Sequence, residues 1–354
     1  MALPLRPPFP PMEALLVEEI PAGDEWQYEP KWDGFRCLAF REATKVELQS
    51  KSGQPLTRYF PELVAALTEL KAQRFVLDGE IAILTDGTFS FDCLLQRIHP
   101  AASRVKMLAR DTPAIFVVFD LLVDANGQSL ISSTLKQRRQ ALARFARSYF
   151  ARNQTIQLSP ATTDRKQAQR WFAMAGGALD GIVAKRLDMS YRSGERAGMQ
   201  KIKRLRTADC VVGGFRYAAG AGACPERSRR VGSLLLGLYD GGLLHHVGFT
   251  SGFSAAQRKS LLARVEPLIR PPGFTGSAPG GPSRWNNKRS AEWEPLAPTL
   301  VVEVQYDHFT DNRFRHGTRF LRWRPDKAPK DCFLAQVKRS ERPVAPKIFR
   351  AMTA

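Results

Sequence analysis

Short apolar runs rich in Val, Ile, Leu and Phe recur along the first half of the chain, and Gly, Asp or Pro residues bound them. Runs of this kind are typical of β-strands. They predict strands over residues 37–40, 46–50, 75–84 and 115–123. Residues 135–150 instead carry apolar side chains at helical spacing with Arg and Gln on the opposite face, which predicts an amphipathic helix. A second helix is expected to begin after Asp164 and to end at Gly176 and Gly177.

Near residues 205–209 the pattern changes to one that is typical of an all-β region. Strands are predicted over 210–215, 232–239, 243–249, 300–306 and 320–323. The second and third of them are expected to form a hairpin across residues 240–242, where two glycines follow an aspartate. One helix is predicted over 254–269. Several strands with one intercalated helix suit a small barrel of the OB type.

The composition allows two domains of ordinary size, since 354 residues with 44% hydrophobic side chains can fill two cores. Lys and Arg number 53 against 34 Asp and Glu, which gives a formal net charge of +19. Such an excess suits a polyanionic partner such as nucleic acid. A basic but solvated surface is the alternative interpretation of the charge alone. The 5 cysteines are scattered and never form a C-x-x-C pair, which predicts free thiols and no zinc site.

Neither a signal peptide nor a membrane span is predicted. The first residues lack the apolar segment of a signal peptide, and no run of about 18 apolar residues occurs in the chain. We therefore expect a cytoplasmic protein that has no membrane partner and associates with the nucleoid.

A series of short motifs with chemically active side chains follows along the chain. They are E-P-K-W-D-G-F-R around Lys31, L-D-G-E ending at Glu80, F-D-L from Phe119, D-G-I-V-A-K from Asp180 to Lys185, K-I-K from Lys201 to Lys203, and R-P-D-K from Arg324 to Lys327. A single K-x-D-G is a weak signal, because it often arises by chance. The full set in this order is specific.

This ordered set resembles the motifs of the covalent nucleotidyltransferases, and most closely those of the stand-alone ATP-dependent DNA ligases of bacteria. The resemblance runs from about residue 8 to residue 332. It implies an α+β fold, with a nucleotidyltransferase (adenylation) domain of antiparallel sheets and helices over residues 1–206 and a C-terminal OB-fold β-barrel over 207–354.

The activity that the resemblance implies is the sealing of nicks between a 5′-phosphate and a 3′-OH, through a lysyl-AMP intermediate and a DNA-adenylate, in DNA repair. It implies ATP and Mg²⁺ or Mn²⁺ as cofactors and nicked double-stranded DNA as the substrate. A monomer is expected, and Ku-like end-joining proteins are candidate partners.

By the same resemblance, Lys31 is the nucleophile that takes AMP from ATP and releases pyrophosphate. A lysine amine attacks phosphorus only when neutral, and nearby cations such as Lys201, Lys203 and Arg36 activate it. Alternation in Lys201 to Lys203 puts both lysines on one face of a strand, so they can converge on one ligand. Lys185 adds a further positive charge for the phosphates.

The nucleotide and a metal ion are assigned to further residues. Glu29 would face the adenine, and Arg36 the ribose or a DNA phosphate. Glu80 would bind the ribose 2′-OH or a metal ion, and Asp180 would hold a divalent cation that offsets charge on the α-phosphate. Phe119 would stack on the purine, while a buried phenylalanine in an apolar strand is the alternative interpretation.

The remaining assigned residues are basic. Lys51 stands where the family has an arginine, and lysine keeps the charge but loses the bidentate fork. Arg196 resembles an arginine that contacts the nucleotide or the nick phosphate. Arg324 and Lys327 would cover the departing pyrophosphate and then move away, which requires a hinge near residues 205–209.

The sequence also contains one predicted insertion, and it leaves two alternative functions to consider. The stretch from Ala223 to Arg230 is read as a loop insertion at a hairpin tip. An RNA ligase or an mRNA-capping guanylyltransferase shares the lysine chemistry. A non-catalytic OB-fold protein that binds nucleic acid would also account for the charge. The matches of residues 183–186, 208–213 and 323–327 to DNA ligases favour the ligase over both.

Overall fold

The computed structural model describes residues 2–85, 88–175, 179–218, 230–280 and 292–338. Residues 223–229 of the predicted insertion and the predicted helix end at 176–177 lie outside them. Over the described residues the chain forms two compact units, which divide between Arg204 and Leu205. Among the described residues, the first unit contains three hydrophobic core clusters and the second contains one.

The first unit combines β-strands with short α-helices. Its strands are β1 (Leu15–Val17), β2 (Trp26–Trp32), β3 (Phe35–Glu42), β4 (Lys45–Ser50), β5 (Arg74–Thr85), β6 (Thr88–Phe89), β7 (Ala114–Val123), β8 (Ile156–Leu158), β9 (Leu179–Arg186) and β10 (Met199–Lys203). Its helices are α1 (Pro61–Glu69), α2 (Phe91–Arg97), α3 (Ala102–Asp111), α4 (Leu135–Tyr149) and α5 (Arg165–Ala173).

These strands form two sheets. One is four-stranded in the order β1-β10-β9-β2, and the other runs β4-β3-β5-β7-β8 with β6 beside β5. All pairs are antiparallel except β1 with β10 and β7 with β8. Helix α4 packs against β7 and begins with a capping box between Thr134 and Gln137. Helix α5 packs against β9 and β2 and begins at the N-cap Asp164, as predicted.

The two sheets of this unit pack against each other through shared core clusters. Val117 of β7 is buried with Trp32 and Ile182 of the four-stranded sheet. Leu38 of β3 is likewise buried with Met199 of β10. The polar residues that the motifs around Lys31, Glu80, Asp180 and Lys203 supply come from strands of these two facing sheets, so the sheet packing brings them together.

The second unit is rich in strands. They are β11 (Arg206–Tyr217), β12 (Val231–Asp240), β13 (Leu243–Thr250), β14 (Glu294–Pro295), β15 (Val301–Tyr306), β16 (Phe309–Thr310), β17 (Arg313–Phe314) and β18 (Arg319–Trp323), with one described helix, α6 (Ala255–Val265). The main sheet runs β13-β12-β11-β15-β18, and β14 pairs with β11.

The predicted hairpin between β12 and β13 is confirmed. Gly241 and Gly242 fill its turn with φ of 58° and 80°, a conformation that favours glycine at both positions. The two ends of the sheet approach each other at a bridge between Thr250 and Thr318, where the Thr250 hydroxyl donates to the Thr318 carbonyl at 2.9 Å. This arrangement is consistent with the expected OB-type barrel.

Candidate active site

Lys31 and Asp180 meet where the ladder between β2 and β9 is interrupted. Lys31 pairs with Gly181 and Trp32 with Leu179, so Asp180 is an extra residue on β9. A bulge of this kind re-aims a side chain. The Lys31 Nζ lies 2.5 Å from Asp180 Oδ2. The lysine side chain keeps 24% of its surface exposed, whereas that of the aspartate keeps only 5%.

Strand β10 brings a second ammonium group to the same carboxylate from the other side of β9. Lys203 lies opposite Gly181, and its Nζ is 3.0 Å from Asp180 Oδ2. A side chain at position 181 would overlap the carbonyl oxygen of Ile202, and the φ of this glycine is +149°. Glycine therefore permits the close approach of β9 and β10. As a result, Lys31 and Lys203 share one buried anion.

Glu29 lies on the same face of β2 as Lys31, since the two are separated by one residue. It is 2% exposed, and both of its oxygens accept hydrogen bonds. Lys185 Nζ donates to Oε2 at 2.8 Å, and Gln27 Nε2 donates to Oε1 at 2.8 Å. Charge-assisted hydrogen bonds of this kind hold the carboxylate in one orientation.

Phe119 lies at a second bulge, on β7. Its neighbours Val118 and Asp120 both pair with β5, whereas Phe119 is skipped in the register. Two cations lie over its ring, with the Arg36 Cζ 4.8 Å and the Lys185 Nζ 4.4 Å from the ring centroid. Cations over an aromatic face are stabilised by the ring quadrupole. The side chain is 9% exposed, so the ring is mostly covered.

Two buried acids, Asp78 and Asp120, each hold an arginine. Arg36 forms a bidentate pair with Asp78, with both distances at 2.7 Å. The Tyr191 hydroxyl donates to the same carboxylate at 2.7 Å. Arg138 pairs bidentately with Asp120 at 2.9 and 3.0 Å. Bidentate pairs restrict the orientation of a guanidinium group, so the position of Arg36 is well defined.

Glu80 lies directly opposite Arg36 in the ladder between β3 and β5. Burial raises the pKa of Glu80 to about 7, and the charges of Lys31 and Arg36 offset only part of this effect. A Cβ at Gly34 would lie 2.8 Å from the Glu80 Cγ and would overlap the carbonyl oxygen of Ile81. The glycine of the lysine motif therefore allows the turn after β2 to pass close to Glu80.

Further basic residues gather around Glu13. The Lys51 Nζ and the Arg196 Nε each lie 3.2 Å from its Oε2. The hydrogen bond from Lys51 is the main cause of the lowered pKa of Glu13. Burial, followed by the charge of Lys203 and those of other basic residues, lowers the pKa of Lys201. The first unit thus concentrates positive charge beside Lys31.

Arg324 and Lys327 lie in the second unit, where they converge on Asp209 of β11. The Arg324 Nη1 donates to both Asp209 oxygens at 2.9 and 3.1 Å, and the Lys327 Nζ lies 3.7 Å from Oδ2. Asp326 binds the same guanidinium at 2.8 Å from Nη2. Mainly because of this hydrogen bond from Arg324, the pKa of Asp326 falls to about 2.

Comparison with known proteins identifies the family. The model of the ATP-dependent DNA ligase domain matches residues 11–203, and that of the ATP-dependent DNA ligase C-terminal region matches residues 227–327. DNA ligase C2 of Mycolicibacterium smegmatis is 45% identical over 95% of this chain and 96% of its own length. The chain belongs to the ATP-dependent DNA ligase family. It is an enzyme that seals nicks in DNA, and its family uses ATP.

Two more distant proteins match this ligase. A multifunctional non-homologous end joining protein, LigD, of Mycobacterium bovis is 30% identical over 87% of the ligase and 37% of its own length. A structure from a study of Lig E DNA ligases superimposes with a TM-score of 0.54 at 17% identity, over 88% of the ligase and 100% of that chain. The second match concerns the fold alone. Of the helices in the described ranges of the ligase, none is both long and apolar enough for a membrane crossing.

Several residues of the candidate site received no role from the sequence, although Asp78 and Asp120 lie within the quoted motifs. They are Glu13, Gln27, Asp78, Asp120, Arg138 and Asp209, each of which binds a predicted site residue or a neighbour of one. Asp78 and Asp120 do carry a signal, because each interrupts an apolar strand run. An acid in a buried strand needs a cationic partner.

Proposed function

We propose that Lys31 attacks the α-phosphorus of ATP and carries AMP as a phosphoramidate. The lone pair of the neutral amine nitrogen forms the N–P bond, the bond between phosphorus and the β-phosphate oxygen breaks, and pyrophosphate leaves with that electron pair. The nitrogen releases one proton to water. The position of Lys31 carries this proposal, because its partly exposed amine lies among Asp180 and Lys203 at a bulge between two strands. The AMP then passes to the 5′-phosphate of the nick, and the 3′-OH displaces it.

Asp180 and Glu80 are the residues that would hold a divalent cation, Mg²⁺ or Mn²⁺. Both offer carboxylate oxygens, the ligand type that these ions prefer. The buried carboxylate of Asp180 also balances the charge of two ammonium groups, so this position suits a cation. When bound, the ion supplies positive charge that offsets the charge on the α-phosphate.

The other predicted site residues of the first unit bind the nucleotide in this proposal. Phe119 stacks on the adenine, and the base takes the place of the cations that cover its ring. Glu29, fixed by two donors, accepts from the adenine. The ribose and phosphates are bound by Arg36, Lys51, Glu80, Lys185, Arg196, Lys201 and Lys203.

The first unit corresponds in this proposal to the adenylation domain, residues 1–206, and the second to the OB-fold domain, residues 207–354. Arg324 and Lys327 neutralise the pyrophosphate while it leaves and then move away before the DNA is sealed. The convergence of both cations on one carboxylate supports this role, since they can meet a compact anion in the same way.

The variant Lys31→Ala tests the assignment of the nucleophile. It should incorporate no label from ATP labelled at the α-phosphate and should seal no nick, while its thermal unfolding stays close to that of the wild type. Lys45→Ala is the matched control, because Lys45 is 69% exposed in a surface pair with Glu47. Label transfer to the Lys31 variant at the rate of the control would disprove the assignment.

We also propose that the ligase acts as a monomer at the nucleoid, in DNA repair, and that Ku-like end-joining proteins recruit it to broken ends. The similarity to the end-joining protein LigD supports this pathway. Co-purification of the ligase with Ku from its own host, and stimulation of end joining by Ku, would test it.

A further inference from the structure

The two cations of the R-P-D-K motif owe their common orientation to Asp209. This carboxylate accepts two hydrogen bonds from the Arg324 Nη1, at 2.9 and 3.1 Å, and it lies 3.7 Å from the Lys327 Nζ. Asp326 holds the opposite side of the guanidinium through Nε at 3.0 Å and Nη2 at 2.8 Å. All three guanidinium nitrogens of Arg324 therefore donate to carboxylates, and these carboxylates lie on two sides of the group.

Asp209 is itself held in place on both sides of its backbone. The Gln336 side chain accepts from the Asp209 N–H at 3.0 Å and donates to the Asp209 carbonyl at 2.9 Å. Asp209 also pairs with Glu303 in the ladder between β11 and β15. Its side chain is only 15% exposed. The carboxylate is thus a fixed point, whereas Arg324 and Lys327 have long side chains that must be positioned.

A carboxylate between two cations offsets their mutual repulsion. Without it, the like charges of Arg324 and Lys327 would separate, and each side chain would sample several rotamers. Neutralising a pyrophosphate requires both charges at one place when the anion leaves. Electrostatic stabilisation of this kind works best when the groups are oriented before the reaction, because no reorganisation is then needed.

We propose that Asp209 is a positioning residue for the adenylylation step, which acts by holding Arg324 and Lys327 in the orientation that receives pyrophosphate. This inference rests on the proposed function of Arg324 and Lys327. Asp209 touches neither the nucleotide nor the nick. Its effect is confined to the step in which pyrophosphate leaves or returns.

The variant Asp209→Asn keeps the size of the side chain and removes its charge. In single-turnover assays at saturating ATP, we expect formation of lysyl-AMP to slow by roughly tenfold to a hundredfold, as for loss of a hydrogen bond between charged groups. Sealing of a nick that already carries AMP on its 5′ end should proceed at the wild-type rate. Asp240→Asn is the matched control, since Asp240 is half exposed and forms a surface pair with Lys338 at 3.2 Å.

Two further measurements separate positioning from a structural role. Addition of pyrophosphate to the lysyl-AMP enzyme reverses the first step, and Asp209→Asn should slow this reversal by the same factor. In an Arg324→Ala, Lys327→Ala background, the Asp209 change should add little, because its targets are gone. Asp209→Glu, which restores the charge, should recover part of the rate.

Four results would overturn the inference, and the last would overturn the proposed function of the motif too. Faster lysyl-AMP formation in Asp209→Asn would mean that the carboxylate restrains the motif. Equal losses with ATP and with the pre-adenylylated nick would mean a structural role. If Asp209→Asn forms lysyl-AMP at the wild-type rate while Arg324→Ala is impaired, the inference about Asp209 is wrong, but the proposed function of the motif stands. If Arg324→Ala and Lys327→Ala both form lysyl-AMP normally, the proposed function of the motif is wrong as well.

Discussion

The variant Glu80→Gln tests whether the buried Glu80 carboxylate of the candidate active site destabilises the folded protein when it is ionised. Burial raises the pKa of Glu80 from an ordinary 4.5 to about 7. The folded protein therefore binds this proton more tightly than the unfolded chain does. The cost of ionising Glu80 is absent below pH 4.5, grows as the pH rises, and is complete above about 7. Glutamine has a similar shape and is neutral throughout this range.

The size of the effect follows from the two pKa values. The difference between 4.5 and about 7 corresponds to at most roughly 3 kcal/mol. We expect Glu80→Gln to be more stable than the wild type at high pH, by up to this amount. The gain should shrink steadily and vanish as the pH approaches 4.5. Lysyl-AMP formation should nevertheless be impaired in the variant, since a site that is costly to fold is often one that is needed for function.

Urea unfolding of both proteins, without ATP or a divalent cation, measures the difference at several pH values between mildly acidic and mildly basic. The transition of the first unit is the relevant one. Glu47→Gln is the control for the loss of one carboxylate, because Glu47 lies in an exposed pair with Lys45. A stability difference that does not change with pH, or one that is larger in acid, would refute the reasoning about Glu80.

Two other predictions address the base and the DNA. Phe119→Leu should raise the KM for ATP in lysyl-AMP formation by roughly 5- to 150-fold, since stacking of a base on an aromatic ring contributes about 1–3 kcal/mol. An unchanged KM, with a fall in Tm like that of the buried Phe116→Leu, would mean that Phe119 is only a packing residue. Binding to a nicked duplex should weaken with salt with a log–log slope of roughly −4 to −5 if about five phosphates are neutralised. A flat dependence in a salt titration would mean that the +19 charge does not form the binding surface.

Two elements of the first unit were predictable from the sequence for different reasons. The helix expected over 135–150 is α4, because its buried residues recur at helical spacing. The strand expected over 115–123 is β7, which the sequence marks as a continuous apolar run. Helix α3 was not predicted, since Val105 is its one buried residue and leaves no apolar stripe to detect. The helix expected over 254–269 ends as an α-helix at Val265, where a 3₁₀ turn containing Pro267 follows.

The sequence predicts a role for each motif but not the orientation of its side chains. Lys31, Asp180 and Lys203 appear in the sequence as separate motifs, and their spacing says nothing of one carboxylate shared by two ammonium groups. That arrangement depends on which strands are neighbours in the sheet. It also depends on where a ladder slips by one residue, which is a property of pairs of strands and not of one strand.

The bulge at Phe119 shows why such a slip is hidden. Before it, Phe116 and Val118 face the core between the sheet and its helices; after it, Leu121 faces the same core, so the inward positions change from even to odd. In a strand with one solvent-exposed face, this change would show in the sequence, because the polar residues would switch between even-numbered and odd-numbered positions. Here nearly every residue of β7 is apolar, because both faces of the strand are buried. The sequence therefore does not show which residues face which side of the sheet. Asp120 is the exception, and its pairing with Arg138 marks the place where the strand turns Phe119 out of the apolar ladder and towards Arg36 and Lys185.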